Sequence, residues 1–143
     1  MTISVLICDD LPAVQSMLRR LLERDGLIVA GVASSADEVL LRYQDCVPDV
    51  VLLDYRMPGA DGLSLLHDLL AYDPLARIVM CSGTGDPDVR RDAMDAGAAD
   101  WVLKPIYPQT LVASLRDIVA ARPGREGPRD GPRDVQRDAR LPI

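Results

Sequence analysis

The sequence has few aromatic residues and few of the nitrogen and sulfur side chains that bind metals. Among its 143 residues there is no phenylalanine, one histidine and three cysteines, Cys8, Cys46 and Cys81, without a CxxC spacing. An odd cysteine count without this spacing argues against a disulfide framework or a zinc site. We interpret the cysteines as small buried hydrophobic residues. A reactive thiol at Cys8 or Cys81, which end predicted strands, is the alternative.

Long apolar runs and clustered basic residues are also missing. No run reaches the roughly 18 residues that would cross a bilayer. The N-terminal MTISVLICDD lacks the basic region and cleavage site of a secretory leader. Binding to a phosphate backbone needs clustered Lys and Arg, whereas here the positive residues are scattered and the net charge is −6. We therefore expect a cytoplasmic chain that binds neither membranes nor, through this domain, nucleic acid.

Acidic residues are abundant, and their distribution divides the chain. Of the 22 acidic residues 19 are Asp, and residues 1–121 carry 18 of the acidic and ten of the basic side chains, a net charge of −8. Residues 122–143 carry six arginines and four acidic residues, broken by Pro and Gly. We predict one domain over 1–121 and a disordered tail or linker over 122–143. An arginine strip for nucleic acid or an anionic partner is the weaker alternative for the tail.

Short β-branched apolar runs alternate with stretches of helical spacing. Five such runs are typical of strands buried on both faces, and they occupy residues 3–8, 27–33, 50–53, 78–81 and 101–103. Strands that alternate with helices predict a doubly wound parallel α/β sheet with helices on both faces. A ligand site is then expected at the carboxyl ends of the strands.

Helix boundaries are indicated by local signals. Ser35 and Glu38 have capping-box spacing, and Pro87 and Pro108 suit the first turn of a helix. Gly97 is placed to end a helix. These signals agree with the alternation of strands and helices.

Polar side chains follow four of the predicted strands. Asp9 and Asp10 follow the first, Asp54 the third, Ser82 the fourth and Lys104 the fifth. Because three clustered carboxylates repel one another unless a cation joins them, the pattern predicts a divalent metal. Ligands that are all oxygen favour a hard ion, Mg²⁺ or alternatively Mn²⁺.

The same residues are suited to phosphoryl transfer. Three carboxylates, one divalent cation and one ammonium are together neutral, so such a pocket can accept a phosphoryl group. Asp54 is then the candidate nucleophile, and Ser82 and Lys104 would hold the phosphoryl oxygens. Plainer interpretations remain: Asp9 or Asp10 could cap a helix, and Lys104 could be a surface lysine.

Four motifs resemble the receiver domain of bacterial two-component response regulators, including the chemotaxis regulators. They are DD at 9–10, LLDYRMPGADG at 52–62, IVMCSG at 78–83 and DAGAADWVLKPI at 95–106. The resemblance covers residues 3 to about 120. It implies a flavodoxin-like fold with strand order 2-1-3-4-5.

The resemblance also implies residue roles at the metal and phosphoryl site. Asp54 matches the phosphoacceptor. Asp10, Asp54 and the backbone carbonyl of Arg56 would ligate Mg²⁺, with Asp9 acting through water. Lys104 would bond a phosphoryl oxygen. The chain would catalyse only its own phosphorylation and dephosphorylation.

Further roles implied by the resemblance concern switching and partners. Ser82 matches the switch hydroxyl and Trp101 the switch aromatic, which otherwise would be plain core packing. Lys104 would precede a cis proline at Pro105. The phosphodonor would be a histidine kinase or phosphotransfer protein, and the face formed by residues 86–120 would bind an output partner. The resemblance allows a homodimer on phosphorylation. A receiver within a longer DNA-binding or enzymatic regulator and a phosphate sink are the alternatives to a stand-alone receiver.

Overall fold

The computed structural model describes residues 2–121 as alternating strands and helices, and the predicted 122–143 tail lies outside the described residues. Seven strands and five helices occur in the described part of the chain. The strands are β1 (Ser4–Cys8), β2 (Ile28–Ala33), β3 (Val50–Asp54), β4 (Arg56–Met57), β5 (Ala60–Asp61), β6 (Ile78–Ser82) and β7 (Asp100–Leu103). The helices are α1 (Pro12–Arg24), α2 (Ala36–Cys46), α3 (Gly62–Tyr72), α4 (Pro87–Ala96) and α5 (Pro108–Ala120).

Five of the strands form one parallel sheet in the order β2-β1-β3-β6-β7. Counted without the short β4 and β5, this order is 2-1-3-4-5, so the predicted flavodoxin-like fold is confirmed. The predicted strands agree with the observed ones to within one residue at each end. One difference matters: Asp54 and Ser82 are the last residues of β3 and β6, and do not follow them.

Alternate residues of the central strands feed two hydrophobic cores, one on each face of the sheet. Val5 and Ile7 of β1 point to the core that α1 and α5 cover, which also contains Leu22 and Leu115. Leu6 and its alternating neighbours point to the core that α2, α3 and α4 cover. Since both faces of β3 are buried, its carboxyl end can place a side chain in a largely desolvated position.

The strands β4 and β5 form a small antiparallel ribbon directly after β3, which the sequence pattern does not predict. Arg56 pairs with Asp61 across this ribbon, and Gly59 has a φ of 103° at its turn. The backbone then returns close to Tyr55, where the Gly62 amide donates to the Tyr55 carbonyl at 2.6 Å. A side chain on Gly62 would meet the Tyr55 backbone, because a Cβ there would lie 2.6 Å from the Tyr55 Cα.

Most of the predicted helix boundaries are confirmed. Pro87 and Pro108 begin α4 and α5, and Gly97 ends α4 with a φ of 117°. The predicted capping box is wrong, because the Ser35 side chain makes no capping hydrogen bond. The Glu38 carboxylate instead accepts from the Ser34 amide at 2.6 Å. Within residues 2–121, no helix is long and apolar enough to cross a membrane.

Candidate metal and phosphorylation site

Three carboxylates meet at the carboxyl ends of β1 and β3, which are neighbours in the sheet. Oxygen atoms of Asp9, Asp10 and Asp54 all lie within 4.8 Å of one another. Asp9 is 2% exposed and Asp54 is 7% exposed, whereas Asp10 is half-buried. The structure therefore brings together the three acidic residues that the sequence pattern singles out.

Local backbone contacts hold the turn that carries Asp9 and Asp10. The Asp9 amide donates to the Ala33 carbonyl at 3.0 Å, which continues the pairing of β1 with β2 by one residue. One carboxylate oxygen of Asp9 accepts from the Leu11 amide at 2.9 Å. Leu11 is the N-cap of α1, so neither acidic side chain has the capping role considered as an alternative.

Lys104, the residue directly after β7, supplies positive charge to this cluster. It is the only lysine of the chain, and the peptide bond to Pro105 is cis, as the resemblance implies. Its Nζ lies 3.4 Å from Asp9 Oδ2 and 3.4 Å from Asp54 Oδ1. Because of these two contacts, the interpretation of Lys104 as a plain surface lysine is wrong.

The charges in this cluster do not balance. Burial raises the pKa of the Asp54 carboxyl and nearby Asp9 adds to the effect, while Lys104 and the Arg56 amide only partly oppose it. Burial acts to lower the pKa of Lys104, but Asp54 and Asp9 outweigh it and raise that pKa. One ammonium thus contacts two of the three clustered carboxylates. A divalent cation would remove the remaining repulsion, and the oxygen-only donor set suits a hard ion.

Arg56 lies at the start of the ribbon that follows Asp54. Its amide donates to Asp54 Oδ1 at 3.3 Å, which orients the carboxylate. Its side chain is exposed on β4.

Ser82 and Lys104 are joined through the backbone at neighbouring strand ends. The Lys104 amide donates to the Ser82 carbonyl at 2.8 Å. Ser82 is 2% exposed, and its Oγ accepts from the Thr84 amide at 3.0 Å. The Ser82 hydroxyl therefore lies at the end of β6, the strand next to β3, beside the residue whose ammonium contacts the acidic cluster.

Trp101 connects the site to the face formed by residues 86–120. It pairs with Met80 in the sheet, and its ring centroid lies 6.1 Å from that of Tyr55, the residue after Asp54. Trp101 also lines a groove of about 860 Å³ between α4, β7 and α5, together with Arg90 and Ile118. The aromatic pair places the neighbour of Asp54 and the wall of this groove in contact.

Two contacts near the acidic cluster are not indicated by the sequence pattern. Tyr55 stands next to Asp54 in the sequence, but only the structure shows its contact with Trp101. Gln15 of α1 donates to the Asp9 carbonyl, and a glutamine on a helix surface carries no signal that would identify this bond.

The two cysteines near the site have buried thiols. Cys8 and Cys81 lie on β1 and β6, with β3 between them, and both are free. Burial raises the pKa of Cys8 and raises the pKa of Cys81 to about 12. Because the reactive species is the thiolate, these values argue against a reactive thiol at either position.

Comparison with known proteins identifies the family. The sequence model of the response regulator receiver domain matches residues 5–116. The chain belongs to the response-regulator receiver family. Receiver domains are the phosphoacceptors of two-component signalling and bind Mg²⁺ through an acidic cluster; here Asp9, Asp10 and Asp54 are positioned for a metal.

Relatives of this receiver include short and long proteins. The chemotaxis protein CheY of Thermotoga maritima is 33% identical over 114 residues, which cover 80% of this chain and 95% of that protein. A protein-glutamate methylesterase/protein-glutamine glutaminase of Caulobacter vibrioides is 36% identical over 135 residues, covering 87% of this chain but 39% of that protein. Some receivers of this kind therefore belong to longer regulators.

A solved structure of a complex contains a chain similar to this receiver. The CheX–CheY–BeF₃–Mg²⁺ complex of Borrelia burgdorferi contains a chain that matches with a TM-score of 0.78 and 25% identity. The match covers 81% of this chain and 88% of that chain.

Proposed function

We propose that Asp54 is the phosphoacceptor of this receiver domain. One observation carries the proposal: Asp54 is a nearly buried carboxylate at the end of the central strand, 3.4 Å from the Lys104 ammonium, and its carboxylate lies within 4.8 Å of oxygens of Asp9 and Asp10. The predicted domain over 1–121 is the unit to which we assign this activity.

We assign the metal site to Asp9, Asp10, Asp54 and the backbone carbonyl of Arg56. Mg²⁺ is the proposed ion and Mn²⁺ the alternative, since both accept oxygen ligands. When bound, the ion would neutralise charge on the phosphoryl oxygens. The support is the clustering of the three carboxylates beside a single ammonium.

The proposed reaction moves a phosphoryl group from a phosphohistidine to Asp54. An Asp54 oxygen forms a P–O bond as the donor P–N bond breaks, and the leaving imidazole keeps the electron pair of that bond and takes up a proton. Lys104, which already contacts Asp54, would hold a phosphoryl oxygen, so positioning and charge carry the reaction. Later attack by water on phosphorus would regenerate the Asp54 carboxylate and release phosphate.

We further propose that Ser82 and Trp101 report phosphorylation to the face formed by residues 86–120. A backbone hydrogen bond holds Ser82 beside Lys104, and we expect both side chains to reach a phosphoryl group on Asp54. Trp101 lines the groove between α4 and α5 and contacts Tyr55. A rotation of Trp101 would therefore change the shape of this groove.

The proposed partners follow from this chemistry. The phosphodonor is a histidine kinase or a phosphotransfer protein, which implies a cytoplasmic location, and an output protein binds the 86–120 face. The Borrelia burgdorferi CheY in complex with CheX supports recognition by a second protein.

The decisive experiment measures phosphoryl uptake from a small phosphodonor in the presence of Mg²⁺. Mass spectrometry should detect one added phosphoryl group on the wild-type chain and none on Asp54→Asn. Asp68→Asn, an exposed aspartate of α3, is the matched control and should be phosphorylated normally. Uptake that survives Asp54→Asn would contradict the assignment.

A further inference from the structure

Gln15 makes two side-chain hydrogen bonds next to the acidic cluster. Its Nε2 donates to the Asp9 carbonyl at 2.6 Å and to Ser34 Oγ at 3.0 Å. A glutamine amide has two N–H donors, so both are used. Because a backbone carbonyl can only accept, the contact with Asp9 also fixes the orientation of the amide group.

The backbone of Gln15 holds the same turn from its other end. Its amide donates to the Leu11 carbonyl at 3.0 Å, in the first turn of α1. The turn that carries the Asp9 and Asp10 carboxylates is thus bound to one residue of α1 through both its main chain and its side chain.

The second partner, Ser34, lies in the loop between β2 and α2, which contributes no side chain to the acidic cluster. The residues at the two ends of this loop, Ala33 of β2 and Ala36 of α2, nevertheless contact both segments that carry the cluster. The Asp9 amide donates to the Ala33 carbonyl at 3.0 Å, and the Ala36 amide donates to the Pro58 carbonyl at 3.0 Å, beyond Asp54. Ser34 itself is held by Glu38 of α2.

We infer that Gln15 is a positioning residue for the metal site, which holds the Asp9–Asp10 turn against the loop between β2 and α2. The inference rests on the proposed function. In the absence of metal, the Asp9, Asp10 and Asp54 carboxylates repel one another, so the turn is under a force that opens the site. The Gln15 bridge opposes this opening and keeps the ligands near their binding geometry.

A purely structural role for Gln15 makes a different prediction. The bridge would then stabilise the fold without affecting the metal. The positioning role predicts that the Gln15 variant loses more metal affinity than a matched helix-surface variant does. It also predicts that excess metal restores phosphoryl uptake.

The test compares Gln15→Met with Gln44→Met. Methionine keeps the length of glutamine and its helix propensity but has no N–H donor, and Gln44 is an exposed residue of α2. Calorimetric titration with MgCl₂ alone should show about fivefold weaker binding for Gln15→Met, the effect of one lost hydrogen bond. Gln44→Met should bind as the wild type does. Equal affinities in all three proteins would overturn the inference.

Phosphoryl uptake provides a second, kinetic criterion. If Gln15 acts through metal binding, Gln15→Met should need more Mg²⁺ for half-maximal uptake but should reach the wild-type rate at saturating Mg²⁺. A reduced rate that excess Mg²⁺ does not restore would contradict a role in metal positioning.

Ser34→Ala tests the other arm of the bridge and covers the case in which Gln15→Met folds poorly. If the two residues act as one unit, the loss of Mg²⁺ affinity in the double variant should be smaller than the two single losses combined. Hydrogen exchange of the Asp9 amide should also be faster in metal-free Gln15→Met. Additive losses and unchanged exchange would overturn the inference.

The outcome for the wild-type protein separates this inference from the proposed function. Wild-type protein that binds Mg²⁺ and is phosphorylated, with unaltered affinity in Gln15→Met, removes only the inference about Gln15. Failure of the wild-type protein to bind Mg²⁺ would overturn the proposed function and this inference together.

Discussion

Asp49 and Asp54 lie at opposite ends of the central strand β3, and their carboxylates have very different neighbours. Asp49 Oδ2 accepts from the Ser4 amide at 2.9 Å and from Ser4 Oγ at 3.3 Å. Asp54 instead faces Asp9 and must share the Lys104 ammonium with it. The same residue type therefore joins two strands at one end of the sheet, while at the other end it lies in a cluster with too little positive charge.

This difference separates a structural carboxylate from a chemical one. At the amino end of β3 the hydrogen-bond donors are supplied by the protein itself. At the carboxyl end the Arg56 amide and the shared Lys104 ammonium leave negative charge uncompensated, and the proposed additional counter-charge comes from a bound cation. Asp49 therefore stabilises the folded protein at the amino end of β3. At the carboxyl end, burial of Asp54, to which we assign the reaction, destabilises the metal-free protein.

The largest expected effect concerns phosphoryl uptake in the two matched variants. Asp54→Asn should abolish uptake, whereas Asp49→Asn should retain it.

The stabilities of these two variants should change in opposite directions. Burial disfavours the charged form of Asp54, so Asp54→Asn should raise the free energy of unfolding of the metal-free protein. Asp49→Asn weakens charge-assisted bonds to Ser4 and should lower that free energy by about 1 kcal/mol. Urea denaturation in EDTA measures both changes, and changes of the same sign would refute the contrast.

The next largest effect is expected for Lys104. Lys104→Met leaves Asp9 and Asp54 without their shared cation, and we expect the free energy of unfolding to fall by about 2 kcal/mol at neutral pH. Saturating Mg²⁺ should reduce this loss, because it supplies positive charge at the same place.

The control is an ion pair on the surface. Arg91 contacts Asp88 at 2.6 Å, with the two side chains 62% and 75% exposed. Arg91→Met should change the free energy of unfolding by no more than about 0.5 kcal/mol, since solvent screens such pairs. Urea denaturation compares the two variants, and losses of equal size would mean that the acidic cluster is not short of positive charge.

The pH dependence of stability should show the same contrast more weakly. Because the pKa of Asp54 is raised above the ordinary 3.8, the folded protein holds this proton to a higher pH than the unfolded chain does. The contribution of Asp54 to the free energy of unfolding therefore falls as the pH rises from 3.8 through the raised pKa, and it is constant at higher pH. The stability advantage of Asp54→Asn over the metal-free wild type should grow across that window. Urea denaturation over a pH series measures it, and an advantage that shrank with rising pH would contradict the sign of the shift.

The fold could be predicted from the sequence because the relevant signals are local and repeated. Runs such as IVMC at 78–81 identify buried strands, and their alternation with helices requires a parallel sheet. That topology alone brings the residues at strand ends together, which explains why Asp9, Asp54 and Lys104 are found in contact.

What the sequence could not supply are contacts that depend on side-chain position across the fold. Gln15 reaches Ser34 over 19 residues. Glu38 accepts from Ser34 and not from Ser35, although its spacing from Ser35 fits a capping box. The pKa of Asp54 is raised because burial at the end of β3 outweighs the attraction of Lys104. The spacing of residues in the sequence does not show which of these two effects is larger.

The smallest expected effect tests whether the charge shortage loosens the packing beneath the site. Cys81 pairs in register with Asp54 and Cys8 precedes Asp9, and these cysteines are 3% and 1% exposed, whereas Cys46 is half-buried on α2. A maleimide should therefore label Cys46 first in the folded protein, and Cys46→Ala should leave no rapidly reacting thiol among residues 2–121. Rapid labelling of Cys81 without denaturant would show that repulsion between the carboxylates opens the strand ends. Protection of Cys81 until unfolding would show that a rigid interior holds these charges together, as the pre-organisation of a metal site requires.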